Sequence, residues 1–274
     1  MKFRTLTFLI ILTSVFCAEV DTTTTKIRPV RLGLASAFSV GAVAYASGEF
    51  TRVWGESSSS TWGWKTGDWN GDGLVQTDEF SHFQLGQRIT EFGYGMSRWC
   101  GFRHNTSLWI GASIGLAGTF WVEIIDAYNP DQGFGVTDMV VDVAGVLFAL
   151  LRKQSPFVDR FDLRVTFEDL KYIPDNLFMA TDFRGYDNAI FWITYQPDKD
   201  LPFDVCLGYS SDRDYPSKVP RRELFIGAGI SGEKLIGLFD SDLARQIGTF
   251  AEWYEITLYA RVYRGPEVPQ DDPH

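Results

Sequence analysis

Hydrophobic positions change their period near the middle of the chain. Up to about Arg152 the apolar residues fall at helical spacing; after Pro156 they alternate with polar ones. Residues 32–48 form a run of seventeen without a charge, rich in Gly, Ala and Ser. That length sits at the lower limit for crossing a bilayer, and its small residues suit close helix packing. The pattern predicts three more helices, over 77–99, 107–128 and 137–152. Asn129-Pro-Asp-Gln-Gly133 breaks the chain between the last two. In 160–169, Phe161, Leu163, Val165 and Phe167 alternate with charged residues and Thr166, which is strand spacing. Further strands are predicted at 188–196, 203–209, 223–230 and 255–263, with a helix near 240–253.

These elements predict an α+β fold. A membrane-associated bundle of about four helices occupies 18–155, an antiparallel sheet 156–265, and a tail 266–274. Five strands are too few for a membrane barrel, which needs about eight.

The first seventeen residues have the plan of a secretory signal, with Lys2 and Arg4 ahead of an apolar stretch from Leu6 to Val15. Cys17 admits lipidation, although Phe16 stands where a small residue should precede it. Export to the periplasm, associated with the outer membrane, is the expected location. The chain carries a formal charge of −10. Such acidity argues against nucleic acid as a partner and against charge-driven docking on anionic lipid. No phosphate-loop spacing supports a nucleotide, and no Gly-x-Ser-x-Gly elbow is present. Membrane lipid or other envelope proteins remain as partners. Cys100 and Cys206, in separate modules, are expected to be buried free thiols.

Two motifs carry candidate chemistry. In 68–79 the side chains of Asp68, Asn70, Asp72 and Glu79 and the backbone carbonyl of Leu74 stand at calcium-ligand offsets, with Gly73 at the sharp turn and apolar Val75 in position eight. This EF-hand-like loop makes Ca2+ the candidate cofactor. The alternative is a polar turn capping the next helix, with Thr77 or Asp78 as the cap. The second motif is the sparse set of ionisable groups in the apolar helices. Asp78 and His82 share a helical face, as do Asp138 and Asp142; Glu123 and Asp126 stand three apart. If the helices bundle, these six converge. Asp78, His82, Glu123 and Asp138 are then candidate catalytic residues, as metal ligands or proton carriers. A single His among carboxylates favours a hard cation over zinc. The competing account is a structural network at the helix ends. His104 reads as a solvated loop residue.

Residues 74–152 resemble the YfiM-like predicted periplasmic lipoproteins, and more distantly VanZ-like membrane proteins. The matching pieces are 74–83, Glu123 to Tyr128 followed by Gly133 to Asp138, and Asp138 to Gly145. Glu79 stands where that family has Lys, and Asp142 where it has Asn, so the set here is more acidic. The resemblance implies an envelope location and a helical bundle, but no reaction. The expected function is therefore a structural or scaffold role at a membrane, possible calcium stabilisation included. The enzyme alternative is a metal-assisted hydrolase or transferase acting on a lipid or cell-wall precursor. A small transporter element would need helices that span, which the short 32–48 run and the interruption by Glu123 and Asp126 disfavour.

Overall fold

A computed structural model describes residues 26–54, 61–65, 69, 75–129, 132–167, 189–198, 201, 203–213, 220–237 and 252–268. The signal region, most of the calcium-type loop and the predicted helix at 240–251 lie outside these residues. The fold is α+β: helices α1 (Pro29–Trp54), α2 (Thr77–Trp99), α3 (His104–Ala127) and α4 (Val136–Gln154) precede strands β1 (Phe161–Phe167), β2 (Ala189–Tyr195), β3 (Asp204–Arg213) and β4 (Pro220–Ser231). A short α5 (Gly232–Gly237) and strand β5 (Glu255–Glu267) follow. The strands form one antiparallel meander in sequence order.

Helices α2, α3 and α4 pack closely because glycines remove side chains at their crossings. A Cβ on Gly86 of α2 would lie 2.5 Å from the Asp142 carbonyl of α4, and one on Gly111 of α3 2.7 Å from the Thr90 carbonyl of α2. Gly115 and Gly145 face α2 with no more room. At such crossings backbones approach until polar groups on neighbouring helices meet. Helix α1 adds a smaller contact, where Ala35 joins Met96, Trp99 and Cys100. Residue His104 opens α3 rather than lying in a loop, and its Nδ1 is 3.0 Å from the Tyr94 hydroxyl.

The entry to α2 is not capped as expected. Gln76 occupies the cap position without a capping side-chain bond, and both Val75 and Gln76 have left-handed backbones, φ 51° and 69°. A β-branched residue there is strained. The sheet holds the joint: Tyr209 donates to the Val75 carbonyl, and Arg222 Nε donates to Gln76 Oε1 at 2.8 Å.

Sheet and helices meet along α2, where Phe80 stacks on Phe191 and Tyr209. The sheet also curls until β1 reaches the start of β5, with Val165 N–H donating to the Trp253 carbonyl at 3.0 Å. Curling separates two faces of opposite character. On the inner face Asp162, Arg164, Thr194, Asp204 and Glu255 are buried alongside Trp192 and Phe225. On the outer face, which α2 covers only around Phe191 and Tyr209, Ile193, Val205, Leu207, Ile226, Ile256 and Leu258 are exposed, Leu258 to 87 %. A water-soluble sheet normally shows the reverse arrangement. Cys100 and Cys206 are buried and unpaired.

Candidate functional site

Each helix of the central three contributes two acids or an acid and a histidine to one buried point. Helix α2 supplies Asp78 and His82, α3 supplies Glu123 and Asp126, and α4 supplies Asp138 and Asp142. The i, i+4 and i, i+3 spacings place each pair on one face, and the glycine crossings bring the faces together. His82 lies at the centre. Its Nδ1 is 3.3 Å from Asp142 Oδ1 and 3.6 Å from Glu123 Oε1, and its Nε2 is 3.8 Å from Asp78 Oδ1. All four of the residues named as candidate catalytic groups are brought together here.

The sequence reading missed Lys65. Residues 61–65 form a strap across the α3–α4 turn: Gly63 N–H donates to the Ala127 carbonyl at 2.7 Å, and Trp64 bridges to Phe134. Trp62, Trp64 and Phe134 pack over this crossing. The strap delivers Lys65 Nζ to Asp78 at 2.9 Å and Asp138 at 3.0 Å, all three side chains being buried. A lone lysine in an aromatic, glycine-rich stretch was the available signal, since surplus acid elsewhere must find cations. Lys65 thus supplies a cation to the cluster.

Charge is still unbalanced. Burial pushes the Glu123 carboxyl up to about 8, against the pull of His82, and Asp126 rises to about 7 for the same reason. Burial also raises Asp142. The His82 imidazole should be lowered by burial, but Asp142, Asp78 and Asp138 hold it well above its ordinary value. Glu123 Oε2 accepts the Gly135 N–H at 2.9 Å, which fixes the carboxylate. Its other oxygen, both oxygens of Asp142 and His82 Nδ1 are buried and have no hydrogen bond. The short approach of His82 to Asp142 lacks the alignment a hydrogen bond requires. The arrangement can hold protons among neighbouring acids, or a cation.

In the calcium-type loop, Asp68, Asn70, Asp72 and Leu74 lie outside the described residues, so their grouping is not seen. Glu79 lies buried in the first turn of α2, within electrostatic reach of Tyr209.

A second ionic network, also missed, joins helices to sheet. Asp162 of β1 receives Arg88 at 2.9 Å, Arg152 at 3.2 Å and Arg164 at 3.1 Å. Burial alone would raise its carboxyl, but the three guanidinium groups hold it far below the usual carboxylate range. Within the curled sheet, Arg164 also reaches Asp204 at 2.8 Å and Glu255 at 2.9 Å.

Among the described residues one helix, α3, is long and apolar enough to cross a membrane. A core helix passes the same test, and the α3 face bearing Gly111, Ala112, Gly115 and Thr119 is buried. No family model, curated protein or solved structure matches the chain. The YfiM-like resemblance rests on the residues quoted for it.

Proposed function

We propose that this is a membrane-associated envelope protein with a structural or scaffold role, its sheet seated against lipid and helices α1–α4 forming the accompanying bundle. The observation that carries the reading is the inverted sheet. Its ionic groups point inward and its aliphatic ones outward, the pattern of strands whose outer surroundings are hydrocarbon. Phe157 packs on Phe161 and Phe161 on Tyr195, so the apolar surface runs from the end of α4 onto the outer face. Apolar contact, rather than attraction between charges, suits a chain this acidic. Calcium held by Asp68, Asn70, Asp72, Leu74 and Glu79 belongs to the same proposal, as a clamp on the strained entry to α2.

Flotation with neutral phosphatidylcholine vesicles tests the membrane reading. The purified chain is expected to float with the vesicles, and the pair Ile226→Lys/Leu258→Lys to remain in the aqueous fraction while keeping its circular dichroism. A wild-type chain that stays in the aqueous fraction as a monomer defeats the reading. A stable dimer that fails to float would assign the outer face to a second copy instead. The convergence of Asp78, His82, Glu123 and Asp138 favours a second reading, a hydrolase or transferase acting on a lipid or cell-wall precursor. Turnover of such a substrate, lost on His82→Ala, would establish it.

A further inference from the structure

We propose that His82, Glu123 and Asp142 form a three-helix site for one divalent transition cation, such as Mn2+ or Zn2+. The inference does not depend on membrane association.

Three observations meet at one point. The atoms that approach each other, His82 Nδ1, Glu123 Oε1 and Asp142 Oδ1, are among those left buried without a hydrogen bond. A buried carboxylate without partners is costly, and Asp142 is fully buried with both oxygens in that state. Such a group calls for a proton or a cation. Next come the spacings of 3.3 Å and 3.6 Å. They are too long and too poorly aligned for good hydrogen bonds. Ligands about 2.1 Å from a shared metal stand roughly 3.0–3.6 Å apart for angles of about 90–120°. The observed spacings lie within that span.

The surroundings have the form of a metal site's outer shell. Gly135 N–H orients the Glu123 carboxylate through its other oxygen at 2.9 Å. Asp78 stands behind the far nitrogen of His82 and is itself tied to Lys65. Metal-bound imidazoles commonly direct their second nitrogen at a carboxylate in this way. Charges also close. Lys65 offsets part of the Asp78 and Asp138 charge, and a divalent ion would neutralise Glu123 and Asp142. An imidazole nitrogen with only two carboxylates suits a first-row transition ion better than calcium, which takes six to eight oxygens. Of the two ions, Mn2+ stays near the hard cation expected from the sequence and Zn2+ departs from it. Because the three ligands come from α2, α3 and α4, the ion would fasten those helices to one another.

The test is calorimetric titration of the chelator-treated full chain with MnCl2 and, separately, ZnCl2, followed by pulsed electron paramagnetic resonance of the Mn2+ form. One equivalent should bind, and the manganese spectrum should show coupling to a single imidazole nitrogen. Asp142→Asn, nearly isosteric, should weaken binding by more than about 100-fold, and Asp78→Asn, which changes the group facing the second nitrogen of His82, by about 10–100-fold. If Asp142→Asn does not fold by circular dichroism, Glu123→Gln takes its place. Wild-type protein that binds neither ion overturns the proposal and leaves a cluster held by shared protons. A manganese coordination sphere of oxygen alone also overturns it. So does binding that survives Asp142→Asn but is lost with Glu79→Ala, because that result moves the ion to 68–79.

Discussion

The two buried ionic regions use the same residue types to opposite effect. Around Asp162, three arginines converge on one carboxylate, with Glu91, Glu252, Asp204 and Glu255 as their further partners, and its affinity for a proton collapses. Around His82, five carboxylates face one lysine and one imidazole, and the acids for which burial dominates hold their protons into the neutral range. The first region gives each of its acids a cation, and its own leftover buried atoms are Arg88 Nε, Arg152 Nε and Gln87 Oε1. The second has an acid surplus, with buried oxygens that no donor reaches. Burial of charge alone therefore says little about function; the sign of the residual charge and the state of the leftover atoms say more.

The largest effect expected from breaking this contrast follows removal of the Asp162 carboxylate. Asp162→Ala removes the carboxylate shared by Arg88, Arg152 and Arg164, and urea denaturation should show a loss of about 3–5 kcal/mol. A loss under about 1 kcal/mol would mean that their remaining partners, Glu91, Asp204 and Glu255 among them, suffice, and the two regions would differ less than described.

Changing pH tests both regions at once. Glu123 near 8, Asp126 near 7 and the raised His82 all bind protons more tightly in the folded chain than in the unfolded one. Stability of the metal-free protein should therefore fall as pH rises from about 4.5 through about 8. Glu255, pushed up to about 7 by burial against the pull of Arg164, acts in the same direction. Asp162 has the opposite sign: its contribution is complete above about pH 4 and is lost as the solution becomes more acidic. Thermal melting should thus peak near pH 5, with a midpoint about 5 °C or more above that at pH 8.5. A flat profile between pH 5 and 8.5 would contradict the acid surplus.

A smaller change sharpens the same point. In metal-free protein at pH 8.5, Asp126→Asn should raise stability by about 1 kcal/mol, since it removes a charge that burial disfavours. At pH 5 the gain should vanish. The smallest effect belongs to the surface pair Arg221–Glu267, 2.7 Å apart with Glu267 half exposed. Arg221→Ala should shift stability by less than about 0.5 kcal/mol, which calibrates the buried regions.

The helices were readable from the chain almost to their ends, because each is bounded by a local break. The 77–99 expectation coincides with α2 (Thr77–Trp99), and 137–152 falls inside α4 (Val136–Gln154). The strands were readable for a similar reason, since alternation is a property of neighbours. Six members of the cluster were visible as pairs on helical faces. Their convergence was conditional on packing that Gly86, Gly111 and their counterparts make possible, and close approach between helices leaves no periodic mark. Lys65 was invisible as a partner because a strap joins it to residues 13 and 73 positions away. Strand alternation in 160–169 gave two faces without saying which turns inward, and the usual assumption of an apolar interior fails here. The Asp162 network was missed on that account, its members being scattered over two helices and three strands.

The two unpaired cysteines among the described residues give this architecture a pair of internal clocks. Cys100 sits where α1 meets α2, and Cys206 sits inside the curled sheet, its thiol pushed up to about 12 by burial and by neighbouring acids. Neither can react with a bulky thiol reagent while its shelter is closed. The rate at which each is modified therefore reports how often its own half of the protein opens, and their ratio separates sheet breathing from helix separation in one unmutated molecule.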